Sequence, residues 1–265
     1  MKKFISILLA VMMIFGTSVF AFAADSGSIN AYVTISDRGS LVVSVESITV
    51  TDIDKDGKFT INDVLYCAHE KFYDGGAADG YESYTHETYG LSLRKLWGQT
   101  NSGSFGYYVN NKSAWSLADT VKSGDYVYAF NYSDAKTYTD SFAYFDKFII
   151  NEDGNTVELT LTVQNGYDSS WNPVFVPLEG ATITVDGKDT GVKTDKNGKA
   201  TVTLSGIGDK IISAKAPEGK LITPPACKVV DNGIVNTIIN AIKNFISTVV
   251  NLIKNFIYSV MPANK

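Results

Sequence analysis

Oxygen-bearing side chains recur at a regular spacing between Asp52 and Asp63, within the segment TDIDKDGKFTINDVLYCAHE. Counted from Asp52 as position 1, the segment has Asp, Asp, Asp, Gly, Thr and Asp at positions 1, 3, 5, 6, 9 and 12. Calcium binds roughly six to eight oxygen atoms, and a loop with this spacing directs such oxygens toward one point. The sequence therefore predicts a calcium site with six contributing residues: Asp52, Asp54, Asp56, Lys58, Thr60 and Asp63.

Each position of this loop has a defined role in the calcium interpretation. Lys58 supplies its backbone carbonyl, Thr60 binds directly or through water, and Asp63 closes the shell from the first turn of a following helix. Gly57 permits the sharp turn because glycine tolerates positive φ. The alternative is a turn without metal, in which Thr60 caps the helix and Asp63 is its capping-box partner. The six matching positions favour calcium.

The stretch DIDKDGKFTINDVL at residues 52–65 resembles one half of a dockerin module. Dockerins also have Asp at position 12, where the usual EF-hand loop has Glu, and the shorter side chain reaches less far. A dockerin contains two such loops, and no second stretch has the acidic spacing. We therefore expect a single EF-hand-like calcium loop rather than a complete dockerin.

The first 24 residues have the composition of a secretory signal peptide. Lys2 and Lys3 precede an apolar run from Phe4 to Phe15, and Ala21–Ala23 offers a small-residue cleavage site. Removing the two lysines leaves 21 basic and 28 acidic residues, a net charge of −7. An acidic surface argues against nucleic-acid partners and against electrostatic docking on anionic membranes. We expect a secreted protein that is associated with the cell surface.

The chain behind the signal divides into two units and a tail. The first unit, residues 25–150, has strand patterns at 29–36, 41–50, 105–110 and 126–132, a helical pattern at 61–73, and a polar stretch at 80–88 that we interpret as a loop. The second unit, residues 151–230, alternates as strands at 157–163, 181–186, 199–204 and 210–215. Cys67 and Cys227 could pair in a secreted protein, but two unpaired thiols are favoured, because nothing in the sequence brings their Cα atoms within bonding reach.

The segment GYYVNNKSAWSLADTVKSGDYVYAF at residues 106–130 resembles the transcobalamin C-terminal-like domain, a soluble ligand-binding β-grasp module. The resemblance implies an α+β first unit with the calcium loop and helix inserted, and a corrinoid as candidate ligand. The family's larger α-helical partner domain is not in this chain, and Asn111 replaces a common Gly.

The segment GATITVDGKDTGVKTDKNGKATVTL at residues 180–204 resembles immunoglobulin-like spacers of bacterial surface proteins. This resemblance implies an all-β sandwich that positions other modules. The order of the segments is similar to modules in large surface proteins of Gram-positive gut bacteria. A fold of this kind does not by itself bring a binding site.

Aromatic residues are frequent in the first unit and allow two interpretations. They form a platform for a surface ligand, which is a glycan, a protein or a small molecule, because flat rings cover apolar faces while Tyr hydroxyls form hydrogen bonds. Alternatively they pack in the core, as aromatics on alternating strands usually do. The candidate ligand-binding residues are Tyr84, Trp97, Tyr107, Tyr108 and Trp115.

The tail, residues 231–265, has an apolar stripe between positions 234 and 260. The sequence IKNFI occurs at residues 242–246 and again eleven residues later at 253–257. A period of eleven keeps a stripe nearly straight on an α-helix. The opposite face is too polar for a bilayer span. We expect an amphipathic helix whose stripe is covered by another copy, by a membrane or envelope surface, or by the second unit.

No arrangement of residues points to catalysis. The two histidines, His69 and His86, lie outside any metalloprotease pattern, and neither a nucleophile elbow nor a phosphate-binding loop is present. We therefore expect a non-catalytic, calcium-stabilised binding or adhesion module on an immunoglobulin-like spacer. The alternatives are a small-ligand binder and a structural envelope protein that assembles through its tail.

Overall fold

The computed structural model describes residues 27–100, 105–134, 136–151, 155–231 and 233–260. Within the C-terminal helix, side chains are described for Gly233 and for residues 241–253. The predicted signal peptide, residues 1–24, lies outside the described residues. The structure is β-rich, with few helices, as the strand patterns predict.

The first group of strands forms a five-stranded sheet with a helix packed on it. In chain order the elements are β1 (Ser28–Asp37), β2 (Ser40–Thr51), α1 (Ile61–Phe72), α2 (Gly76–Gly80), β3 (Glu82–His86), β4 (Gly90–Lys95), β5 (Phe105–Val109), β6 (Lys112–Ser113) and β7 (Tyr126–Asn131). The order in the sheet is β2-β1-β7-β5-β6, and β1 and β7 run parallel. Strands β3 and β4 form a separate hairpin.

Helix α1 covers one face of this sheet because its apolar residues recur at helical spacing. Ile61, Val64, Leu65 and Ala68 are fully buried, in one cluster with β1, β2 and β7 side chains such as Val33. The N-terminus of α1 is therefore fixed where β2 ends. This arrangement determines the position of the predicted calcium loop.

The second group of strands forms two sheets that share one apolar core. Its elements are β8 (Ala143–Phe145), β9 (Ile149–Ile150), β10 (Thr156–Tyr167), β11 (Pro173–Pro177), β12 (Thr182–Val185), β13 (Lys188–Lys193), β14 (Lys199–Thr203), β15 (Lys210–Lys215) and β16 (Cys227–Val229). Strand β10 pairs with β8, β11 and β14, and the other sheet has the order β13-β12-β15-β16-β9. Because β8 pairs with β10, the second group begins at β8, a few residues before the expected division between residues 150 and 151.

An aromatic layer joins the two groups of strands. Tyr108 of β5 stacks on Phe142, with ring centroids 3.6 Å apart and planes 9° apart, and its hydroxyl donates to Gln164 Oε1 at 2.8 Å. The hydroxyl of Tyr128 donates to the Pro224 carbonyl at 2.7 Å. The layer is buried and contains side chains from both groups, so they pack directly against each other.

One predicted loop is wrong, and the other elements named above agree with the structure to within a few residues. Residues 80–88 contain β3, which pairs with β4 through Tyr84 and Ser92. The stretch is polar because the hairpin packs only partly against the core, so the alternation that marks a buried strand is weak. Both cysteines are free, Cys67 half-buried and Cys227 buried.

The predicted C-terminal helix is present as α3 (Gly233–Val260). Its apolar side chains at Ile242, Phe245, Ile246, Leu252 and Ile253 are 40–65% exposed. Among the described residues, no helix combines the length and the hydropathy that crossing a bilayer requires.

Candidate metal centre and aromatic residues

The predicted calcium loop connects β2 to α1 and turns at Gly57, where φ is +82°. A side chain at this φ would strain the backbone, which explains the glycine. The turn is held by Asp52, whose Oδ1 accepts from the Asp56 amide at 3.2 Å and whose Oδ2 accepts from the Gly57 amide at 2.8 Å. The first carboxylate of the motif thus organises the loop backbone.

Asp63 lies in the first turn of α1 and is fully buried. Its Oδ1 accepts from the Ile53 amide at 3.0 Å, and its Oδ2 accepts from both the amide and the hydroxyl of Thr60 at 2.7 Å. Thr60 is the N-cap, so the capping box that formed the metal-free alternative is present. The cap brings the last carboxylate of the motif back toward the beginning of the loop.

Three of the four predicted carboxylates meet at one place. One oxygen each of Asp52, Asp54 and Asp63 lies within 4.8 Å of the other two. Desolvation by itself would raise the pKa of Asp52, but amide hydrogen bonds from Gly57, Lys55 and Asp56 outweigh it and lower the pKa. Desolvation raises the pKa of Asp54, and the charges of Asp56 and Asp63 add to this rise. The cluster therefore concentrates negative charge that a cation would relieve.

The donor chemistry of these residues fits a hard cation such as calcium. A carboxylate oxygen has two lone pairs. Asp52 accepts from the amides of Asp56, Gly57 and Lys55, fewer bonds than its four lone pairs allow. Asp54 accepts one bond, from the Asp56 amide at 3.3 Å, and Asp63 Oδ1 accepts one. Each carboxylate thus keeps acceptor capacity without losing the bonds that shape the loop. A calcium ion would need further oxygens from the backbone and from water.

The other predicted ligands lie outside this group of three. Asp56 Oδ1 accepts from the Lys58 amide at 2.8 Å, and the Lys58 ammonium lies 3.8 Å from Asp56 Oδ2. The Thr60 hydroxyl is engaged in the helix cap. The structure therefore brings Asp52, Asp54 and Asp63 together, whereas Asp56, Lys58 and Thr60 shape the loop around them.

Backbone hydrogen bonds join the segment 117–121 to the end of the loop and the start of α1. The Phe59 carbonyl accepts from the Val121 amide at 2.8 Å, and the carbonyls of Asp119 and Leu117 accept from the Ile61 and Asn62 amides at 3.1 and 3.0 Å. This segment belongs to the stretch 106–130 that carries the β-grasp resemblance. The two motifs found in the sequence are therefore in direct contact.

His69, the buried histidine of α1, is held as a neutral structural group. Its Nδ1 lies 2.6 Å from the Leu65 carbonyl, and the Trp97 amide lies 3.0 Å from its Nε2. An amide N–H requires an acceptor, so the proton of the imidazole is on Nδ1. Burial lowers the pKa of His69 to about 4. The ring therefore links the helix to the turn at Trp97.

The five aromatic residues proposed as a ligand platform occupy three environments. Tyr108 is buried in the layer between the two groups of strands, and Trp97 packs on His69 and Tyr73. The other three lie near one another. The Tyr107 hydroxyl is 3.5 Å from the Trp115 carbonyl. The pKa of Tyr107 is raised mainly by burial, then by the charge of Asp119, and to a smaller extent by the neighbouring Tyr84. Trp115 is 82% exposed, whereas Tyr107 and Tyr84 are half-buried.

Two strongly exposed aromatic residues escaped the sequence reasoning. Trp171 is 76% and Tyr167 is 59% exposed, and both lie at the hairpin between β10 and β11. The sequence did contain a signal, because both residues stand in the polar stretch NGYDSSWN, and polar connecting segments lie at the protein surface.

The chain was also compared with known proteins. No protein-family model matches it, and no curated protein matches it. The functional argument below therefore starts from the contacts and charges of the described residues.

Proposed function

We propose that this chain is a secreted, non-catalytic binding module whose first unit is stabilised by calcium. The observation that carries the proposal is the convergence of the Asp52, Asp54 and Asp63 carboxylates, within 4.8 Å of one another, in a loop with calcium-ligand spacing. Calcium bound there would join the end of β2 to the start of α1. The proposed ligand set is the one predicted from the sequence. Asp56 and the Lys58 carbonyl would have to turn toward the ion, and Thr60 would contribute through water, because its hydroxyl is engaged in the helix cap.

The strand order supports a β-grasp-like first unit. Taken in chain order, the strands of the five-stranded sheet lie in the sequence 2-1-5-3-4, with the first and last strands parallel and α1 on one face. The two sheets of the second group, packed on one core, support an immunoglobulin-like spacer. In this proposal the spacer is joined rigidly to the first unit by the aromatic layer.

Thermal unfolding with calcium and with a chelator tests the proposal. A ligand that binds only the folded state raises the free energy of unfolding by RT ln(1 + [L]/Kd), so calcium must raise the midpoint. The double variant Asp52→Asn, Asp54→Asn keeps one acceptor oxygen on each side chain but removes two charges, and it should lose the response. Asp195→Asn is the matched control, because Asp195 holds another turn through amides at 2.8 Å.

Two results would contradict the calcium proposal. The first is an equal midpoint in calcium and in chelator for the unaltered protein. The second is a calcium response that persists in the double variant, since the bound ion would then lie elsewhere. The Asp195→Asn protein must respond to calcium like the unaltered protein.

A second candidate function is assembly through α3. Apolar side chains along residues 242–253 of this helix are exposed, with Phe245 at 65% and Ile246 at 55%. An apolar stripe of this length is usually covered in the working state of a protein. Helix α3 would then tether several binding modules, and its test is given in the Discussion.

A further inference from the structure

Four aromatic side chains form a surface patch where the two groups of strands meet. Tyr132 and Tyr138 lie on the connection between β7 and β8, and Tyr167 and Trp171 lie at the β10–β11 hairpin. The rings of Tyr132 and Tyr138 are 5.6 Å apart, and those of Tyr167 and Trp171 are 6.1 Å apart. We call these four residues the junction patch.

Trp171 is displayed on a rigid turn. The Asp168 carboxylate accepts from the amides of Ser170 and Asn172 at 2.8 and 2.9 Å and from the Asn172 side chain at 3.1 Å. The Trp171 amide donates to the Asp168 carbonyl at 3.0 Å. Trp171 has φ of +63°, a left-handed conformation that is rare for a bulky residue. The backbone thus holds an apolar ring outward, 76% exposed, at a conformational cost.

Tyr138 is displayed in the same manner. The Asp134 carboxylate accepts from the Lys136 amide at 2.8 Å and from the amide and hydroxyl of Thr137. The Tyr138 amide donates to the Asp134 carbonyl at 3.0 Å, and Tyr138 has φ of +52°. Its ring is 49% exposed. Two separate loops therefore use an Asp-stabilised turn to present a left-handed aromatic residue.

The two pairs of rings face a common surface. Tyr132 packs on Phe130 of the aromatic layer, with centroids 5.0 Å apart. Phe130 stacks in turn with Tyr108, with centroids 6.3 Å apart, and the Tyr108 hydroxyl donates to Gln164 Oε1 at 2.8 Å, in the strand that leads to Tyr167. These contacts bring the two pairs to the same edge of the aromatic layer. Tyr132 therefore links the patch to the buried aromatic layer.

The hairpin side of the junction patch is polar and nearly uncharged, whereas the Tyr138 turn carries the exposed Lys136 and also Asp134, whose carboxylate is engaged in the turn. The hairpin sequence from Gln164 to Asn172 contains no Lys or Arg, and its one carboxylate, Asp168, is engaged in the turn. Ser169, Ser170 and Asn172 are exposed beside the rings. Aromatic faces next to hydroxyl and amide groups match a pyranose, whose axial C–H bonds form an apolar face and whose hydroxyls lie around its edge.

We propose that the junction patch binds a neutral saccharide, with Trp171 and Tyr167 stacking on a sugar ring and the Tyr138 pair extending the surface to a neighbouring sugar. This inference rests on the proposed binding role and assigns that role to the junction rather than to the first unit. Rigid presentation favours binding because little conformational entropy is lost when the sugar docks.

The aromatic group of the first unit is less suited to the same ligand. One face of Tyr84 is covered by the Arg94 guanidinium, 4.6 Å from the ring centroid. Tyr107 packs against the core beneath α1. Trp115 is exposed to a similar degree as Trp171, which makes it the natural comparison in an experiment.

The test is retention of the chain from Asp25 onward, in calcium, on four insoluble neutral polysaccharides: cellulose, chitin, xylan and mannan. We expect at least one of them to retain the protein, and Trp171→Ala to weaken retention about tenfold or more, as truncation of a central aromatic contact does. Trp115→Ala should bind like the unaltered protein. In a Trp115→Phe protein, the soluble oligosaccharide of the same polymer should shift the fluorescence of Trp171, the remaining strongly exposed tryptophan among the described residues.

Three results would overturn the proposal: no retention on any of the four polymers, equal retention of Trp171→Ala, or loss of retention with Trp115→Ala alone. Circular dichroism of Trp171→Ala shows whether the fold is kept. Failure here is distinguishable from failure of the proposed calcium role. A calcium-stabilised protein that binds none of the polymers contradicts the saccharide inference alone, whereas retention through Trp171 without any calcium response contradicts the calcium proposal alone.

Discussion

The Thr60 hydroxyl donates to Asp63 Oδ2 at 2.7 Å, while the Asp63 amide donates back to Thr60 Oγ1 at 3.4 Å. This reciprocal pair caps α1, and Asp63 is at the same time one of the three converging carboxylates. The helix cap and the candidate calcium site are therefore not alternatives, because Oδ2 serves the cap and Oδ1 keeps a free lone pair. One side chain, Asp63, thus serves both the helix cap and the candidate site.

Asp63→Ala should destabilise the protein both with and without calcium. The substitution leaves the Ile53 and Thr60 amides without their acceptor beside a fully buried position. Loss of a cap and of buried hydrogen bonds costs about 2 to 4 kcal/mol in free energy of unfolding. Urea unfolding in chelator measures this loss. An unchanged midpoint in chelator would show that Asp63 does not support the fold.

Asp54→Asn should raise the thermal midpoint in the absence of calcium and lower it in the presence of calcium. Without calcium the exposed Asp54 carboxylate is repelled by Asp56 and Asp63, so a neutral amide should raise the thermal midpoint slightly. With calcium the variant has lost a charged ligand and should gain less stability than the unaltered protein. Paired thermal scans in calcium and in chelator measure both signs. Destabilisation of equal size in both conditions would contradict a ligand role for Asp54.

The sequence predicted the turn at Gly57 and the helix after it better than the contacts inside the loop. Spacing alone identifies the residues from Asp52 to Asp63, because a sharp turn at a glycine needs only local information. The sequence also predicted the capping box of Thr60 and Asp63, but only as the alternative to calcium. It does not reveal that Asp63 serves the cap and at the same time lies within 4.8 Å of Asp52 and Asp54. The hydrogen bond from Val121 to Phe59 is a contact between residues far apart in the chain, and no local pattern signals it.

Aromatic residues were the least predictable feature, because composition does not distinguish a core ring from a surface ring. Tyr107 and Tyr108 are neighbours in β5 and point to opposite faces, one toward α1 and the other into the junction layer. The exposed pair at Tyr167 and Trp171 lies on a hairpin whose position over the junction depends on the docking of the two groups. Whether each aromatic ring is buried or exposed therefore depends on tertiary packing, which the local sequence does not show.

Tyr108 should contribute to stability rather than to ligand binding. Its ring stacks on Phe142 with centroids 3.6 Å apart and is 8% exposed. Tyr108→Ala should cost about 3 to 5 kcal/mol, as truncation of a buried aromatic side chain does. Tyr108→Phe removes only the hydrogen bond to Gln164 and should cost about 1 kcal/mol. A Tyr108→Ala protein with unchanged urea midpoint would contradict this assignment.

His69 should make the protein less stable as the pH falls from about 6.5 to about 4. Burial lowers the pKa of the folded-state imidazole to about 4, so in this range the unfolded state binds more protons. The loss reaches about 3 kcal/mol, because each pKa unit corresponds to about 1.4 kcal/mol. The measurement is the free energy of unfolding against pH in chelator, compared with His69→Gln. That variant should show a shallower slope in this range, and identical slopes would contradict the prediction.

Helix α3 should drive association of several copies. The helix contains Lys243 and Lys254 and no acidic residue, so two copies of it cannot attract each other through opposite charges. Association between copies therefore has to come from the apolar stripe. A helix of 28 residues is about 42 Å long, enough for a continuous seam between copies. Ile246→Asp places a charge on the stripe and should reduce the mass measured by light scattering to that of the monomer. Asn244→Asp adds the same charge to an exposed polar position and should leave assembly intact. An unaltered protein that stays monomeric at high concentration but sediments with neutral phospholipid vesicles would show instead that a membrane surface covers the stripe.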